Sequence, residues 1–267
     1  MKNKKIFAIG MAAVAMTMSF GLHNVNAAAD EVVEPTQILT EEQNELSQAL
    51  NMQMFLNQHI ANYYGRAVFI GDSVMVGFQN YVKAHPTCNM AASQFLTVTS
   101  YSAWHAVRDV SKDKLQPKYN GVKQNVWTSV GMMDVDRVFM MFGTNDLIMA
   151  NVNKTAENIM TVANKIQEAK PGVEIHIISM EPVYSTTNKG GLNNTTVNEL
   201  NNTLLALAQE RGYGFVNIHS ALVGADGSIN PAYSSDKYVH QNMKGYAKWD
   251  EVLNDYVVNA MLAATVQ

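Results

Sequence analysis

Three short stretches of this chain hold residue types that can carry out acyl transfer. The first is Gly71-Asp72-Ser73-Val74-Met75-Val76-Gly77. A serine hydroxyl becomes a nucleophile when a base takes its proton and nearby donors stabilise the anion that develops. A glycine before it permits a sharp turn. A helix starting at the serine offers unpaired N–H groups and the positive end of its dipole. The same residues also read as an ordinary helix cap formed by Asp72 or Ser73. The second stretch is Gly143-Thr144-Asn145-Asp146. Its asparagine amide can donate to an oxyanion, and its composition equally suits a plain turn. The third, Asp236-Lys237-Tyr238-Val239-His240, pairs an imidazole that can take the serine's proton with a carboxylate that can orient it. A surface histidine beside an unrelated aspartate is the other reading.

Ser73 and His240 stand 167 residues apart, so a fold must bring them together. Short continuous apolar runs occur at 67–70, 95–98, 137–142, 173–178 and 215–218. Such runs are what strands covered on both faces look like. Helical spacing lies between them. Ile159, Val162, Ala163 and Ile166 mark one helix, and Val197, Leu200, Leu204 and Leu205 a second. Val122, Val126 and Val130 suggest a third. Trp249, Val252, Leu253, Tyr256, Val257 and Ala260 make a C-terminal helix. Ahead of the first strand, Thr40 and Gln43 resemble a capping box, and Leu46, Leu50 and Met54 predict a helix over 41–63 that packs on the main domain. Strands alternating with helices imply a three-layer α/β fold, with a doubly wound parallel sheet of five strands and helices on both faces. Ligands of such sheets sit at the carboxyl ends of the strands. The first two stretches follow strands, and the third precedes the last helix.

Taken together, the GDSV, GTND and His-to-Gly245-Tyr246 segments resemble the SGNH, or GDSL-type, serine hydrolases over roughly residues 66–262. The resemblance implies a flavodoxin-like fold. It implies that Ser73 is the nucleophile and His240 the general base, with the Ser73 N–H and the Asn145 side chain as oxyanion donors. Gly143 would shape the third block, and Asp72 and Asp146 would support the site. The string IGDSVMVG is also similar to the catalytic domains of extracellular peptidoglycan O-acetyltransferases. Two departures stand out. The family spaces its last pair Asp-x-x-His, but Lys237 occupies that place here and the nearest acid is Asp236. A bulge would bring Asp236 to the ring, or a backbone carbonyl would orient it instead, with Asp226 a poor second. The second-block glycine is missing from Thr99-Ser100-Tyr101-Ser102-Ala103-Trp104, so the backbone N–H of Ser102 or Ala103 would fill its slot.

Composition bounds the rest. The chain has 267 residues, 47% hydrophobic and 16% charged, which is enough apolar material for one sizeable core. A net charge of −4 argues against nucleic-acid binding, which needs a basic surface. The single Cys88 excludes an intrachain disulfide framework. No metal-ligand spacing is seen, so neither metal nor cofactor is expected. His176, inside an apolar run, reads as a satisfied core histidine, and His105, beside Trp104, as structural. Residues 1–27 read as a secretory signal peptide: Lys2, Lys4 and Lys5, an apolar run over 6–22, then Val25-Asn26-Ala27 as a cleavage site. Its removal takes three lysines and no acid, and the net charge falls to −7. The expected organisation is a signal peptide (1–27), a linker and helical segment (28–64, the linker proper at 28–39) and a catalytic domain (65–267). These readings predict a secreted serine esterase. It would act on short acyl groups of carbohydrate or other extracellular compounds, without stable membrane association after signal removal. A cell-wall glycan O-acetyltransferase and a catalytically lapsed binding module are the rival expectations.

Overall fold

The computed structural model describes residues 41–111 and 115–265. The expected signal peptide, the 28–39 linker and the Thr40 cap lie outside the described residues. One compact unit begins at Glu45. Its centre is a single parallel sheet of five strands: β1 (Ala67–Gly71), β2 (Gln94–Thr97), β3 (Arg137–Met141), β4 (Glu174–Ile178) and β5 (Gly214–Val216). Their order across the sheet is β2-β1-β3-β4-β5, the flavodoxin-like doubly wound arrangement, whose strand order reverses between β1 and β3. Gly71 pairs with both Thr97 and Met141, so β1, β2 and β3 end level.

The central strands are apolar along most of their length because both of their faces are covered. Val68 and Ile70 join Val138, Met140, Ile175 and Ile177 in one core. Ala67 and Phe69 join Phe139, Met141 and Ile178 in the other. The first core is closed by a short helix, Val126–Met132, and by α3 (Val152–Ala169) and α4 (Asn194–Arg211). The second is closed by the end of α1 (Glu41–Gly65), by α2 (Ser73–Ala84) and by α5 (Met243–Thr265). Among the described residues, no helix is long and apolar enough to cross a membrane.

Two elements differ from expectation. Val122 does not start a helix: it pairs with Tyr119 in a small antiparallel hairpin, Lys118–Tyr119 with Val122–Lys123, and is exposed. Asn120 and Gly121 turn it with φ of 49° and 79°, the backbone of the tight hairpin turn that Asn-Gly favours. The helix begins only at Val126. In α1 the predicted face is bare. Met54 is 69% exposed and Leu46 and Leu50 are both 55% exposed, while Ile60 and Tyr64 near the helix end are buried. Its 25 residues span about 37 Å against about 17 Å for a five-residue strand, so the helix overshoots the sheet that could cover it.

The α2–α5 contact holds the end of the chain against the start of the catalytic unit. Trp249 is fully buried and its ring lies 5.2 Å from that of Phe78. The Tyr246 hydroxyl donates to the Val74 carbonyl at 2.9 Å. It can do so because Gly77 has no side chain: a Cβ there would lie 1.9 Å from the Tyr246 hydroxyl oxygen. Gly77→Ala is therefore expected to cost about 1–3 kcal/mol and Trp249→Ala about 3–5 kcal/mol. Urea-unfolding midpoints well below wild type check both.

Candidate active site

The site lies at the carboxyl edge of the sheet, beside the point where strand order reverses. Asp72 follows β1 in extended backbone and caps α2, its Oδ1 accepting the Val74 N–H at 2.9 Å. Ser73 is thereby placed in the first helical turn, where backbone N–H groups have no partner within the helix.

The loop before α5 delivers the base. His240 Nε2 lies 2.9 Å from Ser73 Oγ, and His240 Nδ1 lies 2.5 Å from Asp236 Oδ2. An ionised carboxylate only accepts, so Nδ1 carries the hydrogen and the Nε2 lone pair faces the serine hydroxyl. The extra residue between acid and histidine is absorbed by Lys237, which sits in the left-handed region at φ 55°. The turn so formed points the N–H groups of Tyr238, Val239 and His240 at Asp236 Oδ1, at 2.8, 3.1 and 3.1 Å. Partial burial pushes the Asp236 carboxyl up, but the His240 ring and these N–H donors outweigh it and hold the group below the usual carboxylate range. Asp226 accepts only from Ser228 within its own turn and takes no part.

Beyond β3, Gly143 adopts φ 139°, and a Cβ there would press within 2.9 Å of Leu200 and Met180. Asn145 Nδ2 donates to Asp72 Oδ2 at 2.7 Å and to the Tyr101 carbonyl at 3.1 Å. Both partners accept, so the NH2 end of the amide faces them and both of its hydrogens are engaged. The adjacent Asp146 accepts the N–H groups of Ala103 and Trp104, at 3.2 and 3.0 Å. Ser102 is buried with its hydroxyl 2.6 Å from His105 Nδ1, capping the short helical turn Ala103–Ala106. The Tyr101–Ser102 peptide is trans and its carbonyl faces Asn145, so the Ser102 N–H is directed away from that amide. Hydrogen bonds thus join Ser73, His240 and Asp236 in one line and Asn145 to Asp72 beside it, Asp146 holds the 103–104 turn, and the Ser102 hydroxyl stands apart. His176 is likewise apart, bonded to Tyr256 and stacked 4.4 Å from Phe139.

The network rests on buried acids. Burial pushes both Asp72 and Asp146 up to about 6 against the pull of their N–H and amide donors, and the charge of Asp72 adds to the rise at Asp146. A third buried acid, Glu181, follows β4. Sequence reading missed it, although its place just past a strand end marks the edge where this fold collects chemistry. It also missed Tyr101, which acts through its carbonyl and carries no residue-type signal. Among the described residues, no three His, Cys, Asp or Glu side chains converge to hold a metal ion.

A parallel doubly wound sheet with a serine, histidine and aspartate in line at its carboxyl edge is the architecture of an SGNH-type ester hydrolase. Residues 69–248 match the GDSL-like lipase/acylhydrolase family, and the chain belongs to that family of carboxylic ester hydrolases. No curated protein matches it in sequence. Solved structures share the fold. A GDSL-like lipase from Bacteroides thetaiotaomicron is 18% identical with a TM-score of 0.57, covering 74% of this chain and 89% of its own. A carbohydrate acetylesterase family member from Sinorhizobium meliloti is also 18% identical, with a TM-score of 0.50 and coverage of 74% and 99%. A carbohydrate esterase of family 3 from Talaromyces cellulolyticus is 15% identical, with a TM-score of 0.50 and coverage of 74% and 96%.

The left-handed Lys237 makes a local prediction. Glycine tolerates that conformation and a β-branched residue resists it by about 1–2 kcal/mol. Lys237→Gly is expected to keep ester-hydrolysing activity, and Lys237→Val to lower both kcat/KM and the thermal midpoint. Equal activity of the two variants would refute this account of the turn.

Proposed function

We propose that this protein is a secreted serine esterase that works through an acyl-Ser73 intermediate. His240 Nε2 takes the Ser73 proton as Oγ attacks the ester carbonyl. The imidazolium so formed is held by Asp236, and it returns the proton to the departing alcohol oxygen. A water then enters, gives a proton to His240 and attacks the acyl-serine; His240 passes that proton to the departing Ser73 oxygen, which releases the acid and restores the serine. The observation that carries this reading is the unbroken line Asp236–His240–Ser73, with both links within hydrogen-bonding distance. The developing oxyanion faces the first turn of α2, where the Ser73 N–H can meet it. Asn145 joins by exchanging its longer bond, to the Tyr101 carbonyl, for the oxyanion while Asp72 keeps hold of the amide.

The favoured substrates are short acyl esters of carbohydrates or other extracellular compounds. The side chains of His240 and Asp236 are 40% and 34% exposed, which leaves the catalytic line open to a bulky alcohol group. The fold neighbour described as a carbohydrate acetylesterase family member supports the same class. A secretory leader, read at residues 1–27, would take the enzyme to such compounds.

Ser73→Ala is expected to abolish both turnover and labelling by a serine-reactive fluorophosphonate. Wild-type protein that resists the label, or an Ser73→Ala variant that keeps esterase turnover, would sink the mechanism. Asn145→Ala is expected to lose about 10²–10³ in kcat on a nitrophenyl acetate. Product analysis with an acetylated sugar and a glycan acceptor separates transfer to water from transfer to a sugar hydroxyl.

A further inference from the structure

Glu181 is an acid that the acyl-transfer steps do not use. It is fully buried, and neither carboxyl oxygen receives a hydrogen bond from another described residue. Its backbone is pinned on both sides by asparagines of α4. Asn201 accepts the Met180 N–H at 2.7 Å and donates to the Met180 carbonyl at 2.8 Å. Asn194 clasps Val183 in the same way, at 2.9 and 3.0 Å. Residues 180 and 183 are thus both held against α4 on either side of Glu181.

The other acids of this region are provided with donors. Asp72 has Val74 and Asn145, Asp146 has Ala103 and Trp104, and Asp236 has His240 and its own turn. Glu181 has burial, the like charge of Asp72 and, against them, only its own backbone N–H. The charged or titratable groups that sense it are Asp72, on the β1–α2 turn, and Tyr246, on α5, whose hydroxyl already donates to Val74. Asp146 and His240 join through their coupling to Asp72, and Asp236 through Tyr246. With so little to replace its hydration, the carboxylate form is disfavoured and the protonated acid persists. Burial, seconded by the Asp72 charge, pushes the group up to about 8.

We propose that Glu181 is a positioning residue that acts as a neutral acid: it keeps a further negative charge from building up beside Asp72, and its ionisation sets an alkaline limit on catalysis. A second carboxylate beside Asp72 would repel the oxyanion forming at the head of α2 and so raise the barrier. The sign for stability follows from the same proton. The folded state retains it at pH values where the unfolded chain, at the ordinary value of 4.5, has released it. Stability therefore falls as pH rises from about 4.5 to about 8 and levels beyond.

The proposal rests on the acyl-serine reading, and the test keeps the two apart. The full protein and its Glu181→Gln variant are compared between about pH 5 and about pH 9.5, by kcat/KM on a nitrophenyl acetate and by thermal midpoint. Wild type is expected to lose about fivefold or more of its kcat/KM above about pH 8. Glu181→Gln, uncharged and of the same shape, is expected to stay within about twofold of wild type near neutrality, to lack the alkaline decline and to gain in midpoint over wild type as pH rises. An identical alkaline limb in both, or midpoints that run parallel, would overturn it. Should the variant not fold, infrared spectra of wild type decide: a protonated-carboxyl band present at neutral pH and lost toward about pH 9.5 supports the proposal, and its absence at neutral pH overturns it. A wild type without esterase activity would overturn the acyl-serine reading and the alkaline limit together. The midpoints and the infrared band would still report the protonation of Glu181.

Discussion

A single buried carboxylate, that of Asp72, ties the site together. One oxygen caps α2 and so decides that Ser73 lies in the first turn of a helix; the other holds the amide of Asn145, 73 residues further along the chain. A carboxylate out of reach of water must find donors or lose its charge, and here the donors are the two parts of the molecule that acyl transfer needs side by side. Asp146 repeats the device one strand over, collecting the N–H groups of Ala103 and Trp104. Two neighbouring acids thus stitch the loops that leave β1, β2 and β3 into one rim.

The sheet makes that stitching possible. Parallel strands whose ends are level in register present their following loops on one edge, and the reversal of strand order between β1 and β3 opens a crevice there. The histidine arrives from elsewhere, on the loop before α5. Its delivery depends on α5 lying close on α2, which the bare backbone of Gly77 and the Tyr246–Val74 hydrogen bond allow. Core packing and catalytic geometry are therefore one problem at this contact. A change that lifts α5 from α2 also draws His240 away from Ser73.

The buried acids have a cost, since each is pushed toward its neutral form by the interior that surrounds it. Asp72 and Asp146 offset much of it with donors, while Glu181 stays uncharged. The site keeps its ionised acids where donors from other residues reach them and leaves the remaining buried one protonated. That division suits a reaction whose transition state carries negative charge on the substrate oxygen.

Sequence alone determined the layers. Runs of apolar residues must be covered on both faces, and the alternation of those runs with helical spacing leaves few topologies open, so the five strands were legible within about two residues and the long helices by their apolar faces. The residue types able to act at positions 73, 145 and 240 were legible too, because each stands where such a sheet collects its loops. Local pattern failed where burial depended on distant partners. Leu46, Leu50 and Met54 have helical spacing but no sheet beneath them, and Val122 belongs to a hairpin whose Asn-Gly turn overrides the spacing. Only the tertiary structure decided that Lys237 would take a left-handed backbone and swing Asp236 onto the His240 ring. It alone paired Asn145 with Asp72 and left Glu181 without a donor from another described residue. These outcomes depend on directions and desolvation, which arise when segments far apart in the chain exclude water from one another.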